Sequence, residues 1–335
     1  LMLSGVVPEK LLCLTYTRSA AAEMQDRLFS LLAEWALLDD DALQQAIDER
    51  LGTLGAPHDL ALARMLFARA LETPGGLRVQ TIHSFCESLL KRFPLEAGLS
   101  PQFDLLDEHE ARAMQTQIIR GLLMRHDDPD LRAALDALTR QISERDLNGM
   151  TRSILSQRDR FTATDAAQQL HALAQRLDLS DMPEAARHPL QVAQSHIDAY
   201  QDKAVGLAQW LGQSSSVNDG KQAAHLARFH AHAKDSKIAE AWDSLDLVFF
   251  KREGGAKTSL VTKKYGAAEP AHLAVFNQWA AAFEDAFRQS RACHSYQLTK
   301  AVHLFARHLL DQYALLKEQR GLLDYDDLIE RTNDM

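Results

Sequence analysis

Thr15-Tyr16-Thr17-Arg18 and Thr81-Ile82-His83-Ser84 are the segments whose residue types and spacing suit the handling of a polyanion. Each joins the end of an apolar run to the start of an amphipathic helical pattern. At the carboxyl end of a strand in an open α/β sheet, the opening turn of the next helix offers backbone N–H donors to phosphate. Tyr16 adds an aromatic face for an unpaired base, a stack worth about 1–3 kcal/mol. Arg18 adds a positive charge for a phosphodiester backbone. The alternative keeps Tyr16 as a cover on the core edge and Thr15 and Thr17 as helix caps. Thr81 and His83 alternate at a strand end, so both are expected to point one way, with Ser84 capping the helix that follows. A lone histidine is more often a structural hydrogen-bonder than a ligand or base, and no carboxylate partner for His83 stands out in the sequence.

The elements that must position these residues follow from periodicity. Leu1–Gly5 reads as a helix tail ended by Gly5. Lys10–Tyr16 is a continuous apolar run of strand length, predicting a buried parallel strand. Thr17 to Leu38 predicts a helix with Ala20, Met24, Leu28, Leu31 and Trp35 on one stripe. Asp39–Leu71 predicts two helices parted near Gly52–Pro57, with Leu62, Met65, Leu66 and Phe67 inward. A turn at Thr73-Pro74-Gly75-Gly76 leads to a second strand, Leu77–Thr81, and a helix over Ser84–Phe93 stopped by Pro94. Alternating strand and helix is the pattern of a parallel α/β fold.

Beyond Pro101 the pattern becomes helical. A short strand is expected at Phe103–Leu106, a helix at Glu108–Arg125, and further helices to Gln213 with breaks at Asp127–Asp130, Thr162–Asp165 and Ser180–Pro183. Ser214–Gly220 reads as a polar loop. Leu245–Phe250 and Ser259–Thr262 are expected to pair as a hairpin about a glycine turn. Ala271–Lys317 is one or two long helices.

The chain has 335 residues, 46% of them hydrophobic, enough for two packed domains. A net charge of -9 argues against a general positive coat, so any nucleic acid must be held locally, in a groove. Cys13, Cys86 and Cys293 form no C-x-x-C pair, and a reducing cytoplasm is expected. No apolar run is long enough to span a bilayer. Lys251, Arg252, Lys257, Lys263 and Lys264 form a basic cluster that reads either as backbone contacts for DNA or as a solvated loop. His225, His230 and His232 lack metal-ligand spacing, and no catalytic residue or metal ligand is assigned.

Together and in this order, the two junctions resemble motif Ia (T-F-T-x-x-A-A-x-E-M) and the following T-F/I-H-S-F motif of UvrD/Rep-like superfamily 1 DNA helicases. Here they read Thr15-Tyr16-Thr17-Arg18-Ser19-Ala20-Ala21-Ala22-Glu23-Met24 and Thr81-Ile82-His83-Ser84-Phe85. Pro8-Glu9-Lys10 and Leu323-Asp324-Tyr325-Asp326-Asp327-Leu328 fall at family-like places, the latter similar to L-D-F-D-D-L. Cys13-Leu14-Thr15-Tyr16-Thr17, Glu23-Met24-Gln25 and Glu72-Thr73-Pro74-Gly75-Gly76-Leu77 are most similar to the AddA branch, the RecB-like helicase–nuclease subunit of AddAB. Arg18-Ser19 departs from the Asn-Lys common in the family. A backbone contact survives that change; a side-chain contact inferred from Asn does not.

The resemblance implies an α/β fold with a predominantly α insertion. A partial RecA-like (P-loop NTPase) 1A domain spans residues 1–100, a mostly helical 1B domain 101–318, and a return to 1A 319–335, before the Walker B motif. It implies a parent protein that is an ATP-dependent DNA helicase, translocating 3′ to 5′ on single-stranded DNA in double-strand-break repair. Thr15, Tyr16, Thr17, Arg18, Thr81, His83 and Ser84 become its DNA contacts. Its partners are single-stranded and duplex DNA and an AddB-like subunit; its cofactors are ATP and Mg²⁺. The pattern G-x-x-x-x-G-K-[ST] does not occur in the chain. Asp324, Asp326 and Asp327 read as carboxylates complementing a helix N-terminus rather than as Mg²⁺ ligands. A segment of a longer protein, with no cofactor and no ATPase of its own, is therefore expected. The alternative is a non-catalytic helical scaffold that docks a partner subunit such as AddB.

Overall fold

The computed structural model describes residues 1–52, 58–161, 163–251, 253 and 255–335, and it resolves into two units, residues 1–113 with 315–335 and residues 114–314. In the first unit Gly5 takes a left-handed φ of 83° and ends a 3₁₀ turn at Met2–Ser4. Strand β1 (Leu12–Thr15) leads into α1 (Arg18–Leu37), whose cap is Thr17. Asp39 and Asp59 cap α2 (Asp40–Leu51) and α3 (Leu60–Leu71), each accepting a backbone N–H at 2.9 Å. The expected break at 53–57 lies outside the described residues. Strand β2 (Arg78–Thr81) runs directly into α4 (Ile82–Arg92), and β3 (Asp104–Leu105) precedes α5 (Glu108–Leu123), along which the chain enters the second unit.

Strands β1 and β2 pair in parallel, from Leu12 opposite Arg78 to Thr15 opposite Thr81. The expected buried strand is corrected in one respect: Leu12 and Leu14 remain 43% and 41% exposed, and Thr15 is the buried residue of β1. Apolar sequence alone does not bury a strand; a covering layer does. The helical stripes shift as well. Ala21, Leu32 and Trp35 are the buried positions of α1, while Ala20 and Met24 face out. On α3, Ala63, Leu66 and Ala70 face inward and Met65 outward. Alanines at the contact let the helices approach closely, and a pattern read from large side chains misses that.

The second unit is helical: α6 (Pro129–Thr139), α7 (Glu144–Leu155), α8 (Ala163–Arg176), α9 (Pro189–Gly212), α10 (Val217–Lys234), α11 (Ile238–Phe249), the short α12 (Lys263–Ala268) and most of α13 (Pro270–Arg320). Within the expected break at Thr162–Asp165, Thr162 lies outside the described residues. Two expectations are overturned. Ser214–Gly220 is not a loop throughout, because Ser216 caps α10 and helix begins at Val217. Leu245–Phe250 is not a hairpin strand: Ala241, Ser244, Leu245, Val248 and Phe249 recur at three- and four-residue steps and form the buried face of α11. An isolated antiparallel bridge between Phe250 and Ala256 stands where the hairpin was expected.

The core of this unit is aromatic. Phe229, Phe276, Trp279 and Phe283 are fully buried beside Phe249. Trp279 stacks on Tyr200 at 5.3 Å and donates its indole N–H to His196 Nε2 at 3.0 Å. Burial lowers the His196 pKa to about 4, which keeps the imidazole neutral and able to accept that bond. Asp219 is a buried carboxylate. Burial alone would raise its pKa, but hydroxyls of Ser214 and Thr262, both at 2.6 Å, and the Thr262 N–H at 2.9 Å hold it below the usual range.

On return to the first unit, β4 (Leu322–Leu323) pairs in parallel with β3, and α14 (Tyr325–Asn333) packs on α4 through Leu328, Leu90 and Cys86. The first unit thus holds a helical cluster around Leu32, Trp35, Leu43 and Ile47, and a smaller one around Leu90, Phe103 and Leu328.

Candidate nucleic-acid interface

Because β1 and β2 run parallel and in register, their carboxyl ends lie abreast, with the first turns of α1 and α4 beside each other. Thr15 and Thr81 face one another across the last rung and are both buried. Their hydroxyls are spent on the local turns. Thr15 Oγ1 donates to the Thr17 carbonyl at 3.0 Å, and Thr81 Oγ1 accepts the Ser84 N–H at 3.2 Å. Thr17 Oγ1 accepts the Ala20 N–H at 3.1 Å. The three threonines therefore shape two strand-to-helix turns, and the N–H groups at the very start of each helix have no intrahelical acceptor.

Tyr16 stands 84% exposed at this edge, so it is not a cover on the core. Arg18 and Ser19 are also exposed, in the first turn of α1. The other turn corrects two expectations. Thr81, not Ser84, is the cap of α4, and Ser84 is its third residue, sharing a 2.9 Å hydroxyl contact with Thr81. Helix begins at Ile82, so His83 does not alternate with Thr81 along a strand. It sits half-buried on α4 with its ring against Tyr325, 4.9 Å between centroids and 67° between planes. Tyr325, the first residue of α14, is half exposed.

Tyr325 and Lys317 are the residues that sequence reasoning missed. Lys317 is buried and donates from Nζ to Asp324 at 2.7 Å and to Asp327. Those two carboxylates also form a reciprocal capping box at the start of α14, which fits the reading of these acids as helix-terminal groups. The signal for Tyr325 was present in the Leu323–Leu328 segment, as an aromatic at a helix start. Its pairing with His83 joins residues distant in sequence, which no local pattern reveals.

The basic cluster does not act as one group. Lys257 is half-buried, and Nζ donates to the carbonyls of Leu247 at 2.6 Å and Val248 at 2.9 Å, closing the C-terminal turn of α11. Burial lowers its pKa. Lys251, Lys263 and Lys264 are exposed, and Arg252 lies outside the described residues. Of the three histidines, His230 Nδ1 meets the Gln201 carbonyl at 3.2 Å. His225 is half-buried, with a pKa lowered by burial and by the charges of Arg228 and Lys257.

The chain matches the UvrD/REP helicase N-terminal domain over residues 1–335 and belongs to that family. Within it, the chain is similar to proteins named as the A subunit of an ATP-dependent helicase/nuclease. It is 31% identical to the one from Desulforamulus reducens over 122 residues, 36% of this chain and 8% of that protein. It is 27% identical over 143 residues to that of Anoxybacillus flavithermus and 28% over 148 residues to that of Geobacillus kaustophilus, each match covering 42% of this chain and 10% of the relative. The matched part is thus a tenth or less of each relative's length. No helix among the described residues is long and apolar enough to cross a membrane.

Proposed function

We propose that this chain is the strand-gripping segment of an ATP-dependent DNA helicase that translocates 3′ to 5′ and acts in double-strand-break repair. The observation that carries the reading is the parallel rung of Thr15 and Thr81 beside a solvent-facing Tyr16. In this reading residues 1–113 and 315–335 form part of a RecA-like 1A domain, and residues 114–314 its 1B domain. Tyr16 stacks an unpaired base. Arg18 and the free N–H groups of α1 take backbone phosphates, and His83 and Ser84 meet the adjacent nucleotide. Thr15, Thr17 and Thr81 act through the backbone, holding the turns in shape. Lys251, Lys263 and Lys264 supply further phosphate contacts; Lys257 is committed to α11.

ATP and Mg²⁺ belong to the whole protein on this reading. Among the described residues no group of three or more His, Cys, Asp or Glu is placed to hold a metal ion, and Asp324 and Asp327 are tied to Lys317. No hydrolytic step is assigned to the described residues, and we infer that the chain alone lacks ATPase activity. Each relative carries the name of one member of a multi-part enzyme, which supports including a partner of the AddB kind in the same proposal.

Fluorescence anisotropy of the chain with a labelled single-stranded oligonucleotide across a salt series tests the grip. Binding should weaken as salt rises and lose about 1–3 kcal/mol on Tyr16→Ala. Absence of binding at low salt, or binding indifferent to Tyr16→Ala, removes Tyr16 from the DNA path.

A further inference from the structure

Two tyrosines of the first unit stand open to solvent, Tyr16 at 84% and Tyr325 at 52% exposed, and the strand-gripping reading uses only the first. Tyr325 opens α14, and its ring meets His83 edge to face, the arrangement aromatic pairs favour. His83 lies in the first turn of α4, two residues past Thr81. Thr81 in turn pairs with Thr15, the residue before Tyr16, on the last rung of β1 and β2. Neighbouring strands lie about 4.8 Å apart, so the two junctions stand side by side at one sheet edge. The tertiary structure thus brings Tyr325 from the far end of the sequence onto the junction that follows β2.

The ring is held on both sides of its backbone. Asp324 and Asp327 close a capping box around Tyr325 with a 2.9 Å bond in each direction, and Lys317 Nζ donates to both carboxylates. His83 supports the ring itself. An aromatic side chain fixed in this way loses little further freedom when a flat partner lies on it, which favours affinity. The local charge selects the partner. Carboxylates already occupy the N-terminus of α14, and Asp326, next in sequence, is exposed. That turn repels a phosphate but suits the uncharged face of a base.

We propose that Tyr325 is a second stacking platform of the strand grip, taking an unpaired base near the one on Tyr16 while His83 props its ring. This rests on the DNA-binding reading of the Tyr16 edge and extends it to α14. Two rings at one sheet edge hold two bases of the same strand, and Lys317 becomes a positioning residue for the second.

Ultraviolet irradiation of the full chain bound to a single-stranded oligonucleotide carrying 5-iodouracil, followed by peptide mass spectrometry, should find crosslinks at both Tyr16 and Tyr325. In anisotropy titrations with the same oligonucleotide, Tyr325→Leu should weaken binding about tenfold, and Tyr325→Phe, which keeps the ring, should stay within about twofold of the parent. A crosslink at Tyr16 without one at Tyr325, or a folded Tyr325→Leu chain that binds like the parent, overturns the role of Tyr325 and leaves the Tyr16 grip standing. No single-strand binding by the parent chain overturns both. Circular dichroism shows whether Tyr325→Leu is folded; if it is not, the crosslink, made on the parent chain, decides.

Discussion

In the second unit, Phe229, Phe249, Phe276, Trp279 and Phe283 meet in one aromatic core, where the buried Asp219 accepts hydrogen bonds from Ser214 and Thr262 and His196 accepts one from Trp279. In the first unit the apolar residues divide between a cluster under α1–α3 and one between α4 and α14, while Leu12 and Leu14 of β1 stay open to solvent. One unit invests its large side chains in a filled interior. The other builds short strands whose ends are shaped by hydroxyl hydrogen bonds and leave Tyr16 outside. Residues that fill a core give stability; residues that shape a strand end give presentation, and the two respond differently to substitution.

Trp279→Ala should break the contrast most severely, destabilising the second unit by about 3–5 kcal/mol in urea unfolding followed by near-ultraviolet dichroism. Acid is next. His196 has a folded pKa of about 4 against an unfolded value of about 6.5, so the unfolded state binds more protons between those values. Stability from this group is full above pH 6.5, falls as pH drops toward 4, and levels off below, a loss on the order of 3 kcal/mol. His225 and His303, also lowered by burial, act with the same sign. His196→Gln, which keeps an acceptor for Trp279, should flatten this slope.

Lys317→Ala probes the first unit by leaving two carboxylates at the start of α14 without their buried partner, a cost of about 3 kcal/mol, the low end for a broken buried pair because both carboxylates keep some exposure. A cost above that of Trp279→Ala would reverse the assignment of the more tightly built region. Thr81→Ala removes the cap of α4 and should cost about 1 kcal/mol. Tyr16→Ala is the smallest, within about 0.5 kcal/mol of the parent in the same unfolding experiment, because an exposed ring supports no core. A larger loss would make Tyr16 a structural residue after all.

Much of the fold is legible in the sequence, for local reasons. Helix starts at Arg18, Asp40 and Leu60 follow from Thr17, Asp39 and Asp59, whose side chains bond within three residues. The two strands and their parallel pairing follow from apolar runs alternating with helices. Failures came where a local pattern had two solutions. Leu245–Phe250 has the length and composition of a strand, but the three- and four-residue spacing that continues back to Ala241 places it in α11. Lys257 looks like a free cation until the carbonyls ending α11 are seen to claim it.

The sequence by itself determined the helix starts at Arg18, Asp40 and Leu60, the order of strands and helices in the first unit, and the two threonine-led junctions, since these depend on side chains bonding to backbone a few residues away. Only the tertiary structure decided that Tyr16 faces solvent, that His83 meets Tyr325 and that Lys317 lies between Asp324 and Asp327. Exposure, ring contact across distant segments and burial of charge are set by what packs against a residue, and packing partners far along the chain leave no trace in local spacing.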